Sequence, residues 1–377
     1  MAKHAAQPIR VLLLLHELSQ SGAPKVALDV FEALGDAVDV RVWSLNGGPL
    51  EERARKRGQT RVLQHRPLPL GLLPAGAAFR INGRVQSVLP TCDFAPDVLY
   101  ANSIVALNWT RYTRLPRAPI LLHVHEAGSA IDRYSERFED TWREVPQRFI
   151  AVSNAVRDDL VARNIAPEKI TVAHPFISLE IFDVQAKQQT QALDRATDNR
   201  FTNHRFVVGG AGRISWTKGP ELWLLMAAEL TRLLGRNAVR FVWIGVGETE
   251  DDRRFRVMAH KLGLDDVLEC VPPTPQPFAQ FARFDAFALT SWEDACPLVV
   301  LEAMALEKPA ACFAGGGGAD RHPERDRQRL SPVLLRLAAL RRGRRVVHRR
   351  DTQRQPGGDV SGLCDARADD AALLHRR

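Results

Sequence analysis

Short apolar runs alternate with helix-like segments twice along this chain, and a polar stretch separates the two series. That rhythm constrains the fold more than any other feature. Residues 9–15, IRVLLLL, have the length of a strand buried inside a parallel sheet. The polar loop HELSQSGAPK follows. Within 26–34, the spacing of Val26, Val30 and Leu34, and of Leu28 and Phe31, predicts a helix. Residues 38–45, 97–103, 119–126 and 169–176 read as further strands, and 148–164 as a strand followed by a helix capped by Ser153 or Asn154. The polar, Gln-rich segment 184–205 reads as a linker. The alternation then restarts with strands at 205–212, 239–247, 267–272, 285–291 and 309–315. Between them lie helices from Pro220 to Leu234, Asp252 to Leu262 and Pro297 to Leu306. Strands interleaved with helices predict an α/β fold of two doubly wound, parallel-sheet, Rossmann-like domains, 1–183 and 206–318, facing a cleft. Ligands of such sheets sit beyond the carboxyl ends of the strands.

Five cysteines lie far apart with no C-x-x-C pair, which argues against a disulfide framework or a zinc site and fits a reducing, cytoplasmic setting. The apolar run after Lys3 and Arg10 is only Val11 to Leu15, shorter than a secretory signal. No stretch reaches the ~20 apolar residues of a membrane span.

The net charge of +8 is unevenly placed. Residues 319–377 hold 15 Arg against 8 Asp or Glu, so the first 318 residues carry a net charge of only +1. A nearly neutral body argues against nucleic acid as a partner. The stretch from Ala319 onward also contains no Ile, Phe, Tyr, Trp, Met, Asn or Lys, most of which have AU-rich codons. Their joint absence beside an Arg excess is what GC-rich DNA gives when it is translated out of frame. A frameshift near Gly315 to Ala319 is therefore the expectation for 319–377. The alternative is a native, disordered basic tail, in which RRGRRVVHRR could hold an anionic polymer or lipid.

Two motifs carry chemistry. The first is GRISWTKG, residues 212–219, between a strand and the helix that Pro220 opens. A helix N-terminus favours an anion, Arg213 offers a two-pronged grip on phosphate, and Lys218 adds a point charge. Gly212 and Gly219 flank them. The bland reading is a solvated turn with two surface cations. The second motif is TSWEDACPLVVLEAMALEKP, residues 290–309. Asp294 precedes the helix opened by Pro297, and Glu302 lies eight residues later within it. Its apolar neighbours predict a buried helix, and a buried carboxylate needs a partner. Ribose hydroxyls would serve, or else a structural hydrogen bond to a neighbouring loop. The backbone N–H groups of Leu298 and Val299 would face a phosphate.

The pair G-R-x4-K-G and, about 75 residues on, S-x-x-(E/D)-x-x-P-L-x-x-x-E-A-M-A-x-x-x-P resembles the retaining glycosyltransferases of family 4, the group 1 glycosyltransferases of GT-B fold. The resemblance covers residues 9–318. It implies a nucleotide-diphosphate sugar as donor, held at its diphosphate by Arg213 and Lys218 and at its ribose by Glu302. It implies that Asp294, shorter by one methylene than the family's glutamate, meets the transferred sugar; Glu293 is the alternative, at the cost of the spacing. His125, with Glu126 beside it, maps onto the family's strand-ending histidine near that sugar, unless it is only a strand-end histidine bonded to backbone. His123 is expected on the opposite face. Ser21, Gly22 and Ala23 map onto the small-residue loop near the donor phosphates, with one glycine where many members have two. Residues 174–178, HPFIS, depart from the family's usual N-G-V-D.

No cofactor and no metal are implied. The implied acceptor is a glycan or a lipid-linked glycan, and the reaction proceeds with retention. The segment 66–84, apolar with Arg66, Arg80 and Arg84, could dock peripherally on the inner face of a membrane; the alternative is a loop and helix packed on the first domain. Two other function classes stay open: a non-catalytic product of a frameshifted gene, and a basic nucleic-acid-binding protein.

Overall fold

A computed structural model describes residues 7–63, 94–109, 115–138, 141–177, 205–274 and 277–313. Residues 66–84, the linker 184–205 apart from its last residue, the run 315–318 and the segment 319–377 lie outside them. The chain divides into two units, Met1–Phe176 and Ile177–Arg377.

The first unit is a seven-stranded sheet with every neighbouring pair parallel. Its strands are β1 (Ile9–Leu15), β2 (Val38–Ser44), β3 (Gln59–Val62), β4 (Val98–Asn102), β5 (Ile120–Val124), β6 (Arg148–Ala151) and β7 (Ile170–Val172), in the order β3-β2-β1-β4-β5-β6-β7. Its helices are α1 (Gly22–Leu34), α2 (Glu51–Arg57), α3 (Ser129–Phe138), α4 (Thr141–Glu144) and α5 (Asn154–Ala162). The continuous apolar run of β1 is explained by its central place: Val11 to Leu15 are all buried, and Val11 is paired with Val40 on one side and Val98 on the other. Ala27, Leu28 and Phe31 of α1 pack on Leu13 and Val42, and the Phe31 ring meets Tyr100 edge-on at 5.0 Å. Ser153 caps α5, its Oγ accepting from Val156 N at 3.2 Å.

The second unit is a five-stranded parallel sheet of β8 (Phe206–Ala211), β9 (Val239–Ile244), β10 (Leu268–Val271), β11 (Ala286–Leu289) and β12 (Ala310–Cys312), in the order β10-β9-β8-β11-β12. Its helices are α6 (Pro220–Leu234), α7 (Glu250–Lys261), α8 (Pro277–Ala282) and α9 (Leu298–Ala305). One face of the sheet is covered by Trp223, Leu230 and Phe255, with Trp223 edge-on to Trp243 at 5.1 Å. The other carries Phe281, Phe284, Phe287 and Leu289. Gly209 of β8 has no room for a side chain, because a Cβ there would lie 2.1 Å from the Phe284 ring. No helix of the described residues is long and apolar enough to cross a membrane.

Several elements differ from the expectation. α1 begins at Gly22 rather than Val26, so Gly22 opens a helix instead of lying in a loop. Pro297 is the cap of α9 rather than its first residue. That helix is half-buried rather than buried: only Glu302 and Ala303 are fully buried, and the neighbouring strand β12 is largely exposed too. α2, β3, α3, α4 and α8 have no counterpart in the expected series.

In both sheets the strand order reverses beside the first strand, between β1 and β4 and between β8 and β11. Such switch points open a crevice at the carboxyl ends of the two strands, where doubly wound sheets bind their ligands.

Candidate active site

In the second unit the two sequence motifs leave the two strands of the switch point. Gly212 follows β8 directly, and its carbonyl accepts from Trp243 Nε1 at 2.9 Å. Ile214 is buried and anchors the loop, while Arg213 is exposed and has no ion-pair partner among the described residues. A single 3-10 turn, Trp216–Lys218, leads to Gly219, the cap of α6, at φ +56°. This left-handed conformation suits glycine, and a Cβ would stand 2.1 Å from the Thr290 carbonyl oxygen. Thr290, just after β11, donates from Oγ1 to the Gly219 carbonyl at 2.9 Å. Glu293 N donates to the Thr217 carbonyl at 3.1 Å, and Trp292 Nε1 to Glu221 Oε1 at 2.5 Å. The loops after β8 and β11 are thereby fastened together along their length.

The cross-link ends in chemistry. Lys218 Nζ donates to Asp294 Oδ2 at 2.5 Å, with Ser291 Oγ donating to the same oxygen at 3.4 Å. Asp294 is a half-buried residue whose side chain is only 12% exposed. Pro297, Leu298 and Val299 form the cap and first turn of α9, and Glu302 is buried one turn further along it. Lys218, Gly219 and Asp294 are thus brought together, with Arg213 on the same loop. Glu293, the alternative to Asp294, is buried.

In the first unit the candidates gather at the carboxyl ends of β4 and β5. His125 Nε2 lies 2.9 Å from Asn102 Oδ1, and Asn102 Nδ2 donates to the Ala23 carbonyl at 2.9 Å. Asn102 therefore joins the small-residue segment around Gly22 to His125. Glu126 is turned inward: its carboxylate accepts from Ser103 Oγ, from His125 N at 3.0 Å and from Ile104 N at 3.4 Å. Burial pushes the Glu126 carboxyl up from its ordinary value, against those hydrogen bonds. Burial holds His125 well below the ordinary histidine value, with His123 and His16 adding repulsion.

His123 corrects the expectation. Its ring lies 4.1 Å from that of His125, on the same side, because residues two apart along a strand share a face. Its Nδ1 is 2.7 Å from Tyr100 OH, and burial lowers its pKa to about 4. After β1, Glu17 accepts from Ser19 Oγ at 2.6 Å and Ser21 Oγ at 3.2 Å, and its pKa falls to about 2, chiefly through His16. His16, Glu17, Asn102 and Ser103 were not singled out from sequence. The available signal was position: each is a polar residue directly at the end of a buried strand.

Comparison with known proteins agrees with this geometry. The family model described as Glycosyltransferase Family 4 matches residues 20–181, and that described as Glycosyl transferases group 1 matches residues 194–322. A D-inositol 3-phosphate glycosyltransferase of Catenulispora acidiphila is 30% identical over 178 residues, covering 45% of this chain and 41% of the relative. An alpha-galactosylglucosyldiacylglycerol synthase of Streptococcus pneumoniae is 24% identical over 167 residues, covering 43% and 42% respectively. The chain thus spans less than half the length of these curated relatives. Among solved structures, HepE of Anabaena in complex with UDP and glucose superposes with a TM-score of 0.60 at 19% identity over 82% of each chain. Sucrose-phosphate synthase from Thermosynechococcus elongatus gives a TM-score of 0.63 at 16% identity over 89% of this chain and 90% of that one. Two parallel-sheet units, the paired motifs at a switch point and both family matches lead to one conclusion: the chain belongs to the family 4, group 1 glycosyltransferases of GT-B fold.

Proposed function

We propose that this chain transfers a sugar, with retention, from a nucleotide-diphosphate sugar to a glycan or lipid-linked glycan. The observation that carries the reading is the Lys218–Asp294 pair at the second switch point, beside the exposed Arg213. A diphosphate is a stronger partner for Lys218 than one carboxylate. Its arrival would draw the ammonium away and free Asp294 for the hydroxyls of the transferred sugar. Arg213 and Lys218 would then balance the charge on the leaving diphosphate, aided by the backbone of Gly212 and Gly219 and by the α9 turn at Pro297, Leu298 and Val299. These cations do the work a metal ion would do, so the reading includes no metal and no cofactor. Glu302 takes the ribose. His125 meets the transferred sugar, and Glu126 positions it.

HepE bound to UDP supports a nucleotide-sugar donor. Relatives named for D-inositol 3-phosphate and for a galactosylglucosyldiacylglycerol support a hydroxyl-bearing acceptor, free or lipid-linked. The same reading includes a cytoplasmic site of action with peripheral contact at the inner membrane face through residues 66–84, and no nucleic-acid partner. Liposome flotation tests the membrane contact. Calorimetric titration with UDP, GDP and ADP tests the donor site: saturable binding of one of them, lost in Arg213→Ala, is expected, and no binding by folded protein would overturn it.

A second reading has its own observation. The group 1 match stops at residue 322, close to Ala319, where the residue types change, while the chain runs to 377. This supports an out-of-frame terminal segment and a non-catalytic product. The coding DNA separates the readings: a shifted frame that stays open and resumes strand-like sequence favours the second, and an early stop in that frame rejects it.

A further inference from the structure

We propose that Asn102 is a positioning residue that fixes His125 with its proton on Nε2, so that Nδ1 is presented to the donor sugar as a hydrogen-bond acceptor. The proposal rests on the reading that His125 meets the transferred sugar.

The argument is one of donors and acceptors. Asn102 ends β4 and is fully buried, so its amide has no solvent to satisfy it. The Ala23 carbonyl, 2.9 Å from Nδ2, can only accept, which orients the amide with its nitrogen towards α1. The amide oxygen then faces His125 Nε2 at 2.9 Å, and it too can only accept. The hydrogen between them must therefore sit on Nε2. A neutral imidazole carries one proton, which leaves the lone pair on Nδ1. Nothing among the described residues bonds to Nδ1. The ring packs against His123, and His16 is the other titratable group felt by it, so a second proton is opposed from two sides. A ring of this kind welcomes a hydroxyl proton and rejects an anion, which offers none. His125 is thereby matched to the sugar and mismatched to the phosphates.

Asn102 also reports on α1. Its hydrogen bond to Ala23 lies in the first turn of that helix, so a shift of the loop after β1 would release the amide and, with it, the fixed tautomer.

The test is long-range proton–nitrogen correlation spectroscopy of the histidine rings in the full chain at neutral pH, with His125 assigned by comparison with His125→Gln. A protonated Nε2 and a bare Nδ1 are expected. The opposite tautomer in the wild-type protein would overturn the proposal, whatever becomes of any variant. In Asn102→Leu the ring should become a mixture of tautomers, and kcat/KM for transfer should fall about tenfold to a hundredfold with nucleotide affinity unchanged. Asn102→Asp restores an acceptor and should recover part of the rate, with the acid limb of the pH profile moved upward because a carboxylate favours the imidazolium. An unchanged tautomer and rate in Asn102→Leu would overturn the role. Absence of nucleotide binding by the wild type would instead sink the donor-site reading, and the ring spectrum would still decide the tautomer.

Discussion

Lys218 and Asp294, 76 residues apart in sequence, meet at 2.5 Å because β8 and β11 are neighbours and their following loops are bonded together. The cation assigned to the diphosphate and the carboxylate assigned to the sugar hold each other. Removing one partner or the other should therefore have different consequences for nucleotide binding. Lys218→Ala should weaken binding of the nucleoside diphosphate by about tenfold to a hundredfold, the value of a hydrogen bond to a charged group. Asp294→Asn should leave that binding intact or tighter, because the lysine is released, while transfer to acceptor falls. Calorimetry and a transfer assay on both variants check the pair; equal loss of nucleotide binding in both would contradict it.

Gly219 has neither the conformation nor the room for a side chain, with φ at +56° and the Thr290 oxygen 2.1 Å from where a Cβ would be. Gly219→Ala should lower stability by about 3 kcal/mol, in the range of severe backbone strain. Thermal denaturation beside Gly235→Ala provides the control, since Gly235 also has a positive φ but nothing within 4 Å of its Cβ position.

The depressed pKa of His123 gives acid sensitivity a definite sign. Its folded-state value, about 4, lies below the ordinary 6.5, so the unfolded chain takes up the proton first as pH falls. Above 6.5 the residue costs nothing; between 6.5 and about 4 stability is progressively lost, by about 3 kcal/mol in all. Glu126, raised by burial, moves the opposite way, so the difference between wild type and variant is the quantity to follow. His123→Gln, which can still hydrogen-bond to Tyr100 in either sense, should flatten the fall. Denaturant midpoints from pH 7 to pH 4 measure it.

Glu126→Gln should separate positioning from donor binding. The carboxylate accepts Ser103 Oγ on Oε1 and two backbone N–H groups on Oε2, so an amide keeps its oxygen at the backbone and turns its N–H2 to Ser103 Oγ, whose hydroxyl must then accept. A loss of about 1 kcal/mol in stability is expected as a neutral acceptor replaces a carboxylate, with transfer reduced and nucleoside diphosphate affinity unchanged. Loss of that affinity would contradict the assignment of Glu126 to the first unit's own framework.

Much of this architecture is legible in the sequence because buried parallel strands leave continuous apolar runs, as in β1 and β8. α2 and β3 are not legible for a physical reason. Only Ala54 of α2 is buried, and the helix is fastened by charge, with Arg53 reaching Asp29 and Glu32, so no apolar periodicity marks it. The candidate site follows the same division. Arg213, Lys218 and Asp294 announce themselves by type and spacing, whereas Asn102 gains its meaning only when β4 brings it beside residues 23 and 125. The side taken by His123 was legible from the two-residue period of a strand, and the opposite expectation misapplied that period.

The contact between Gly219 and the Thr290 backbone has a bearing on descent. Two stretches that touch this closely, Gly219 against the Thr290 main chain, must stay in step although about 70 residues separate them. A crossover between two related genes that fell inside that interval would unite halves never fitted to each other. Recombinants within this family should therefore survive best with their breakpoints outside residues 219–290.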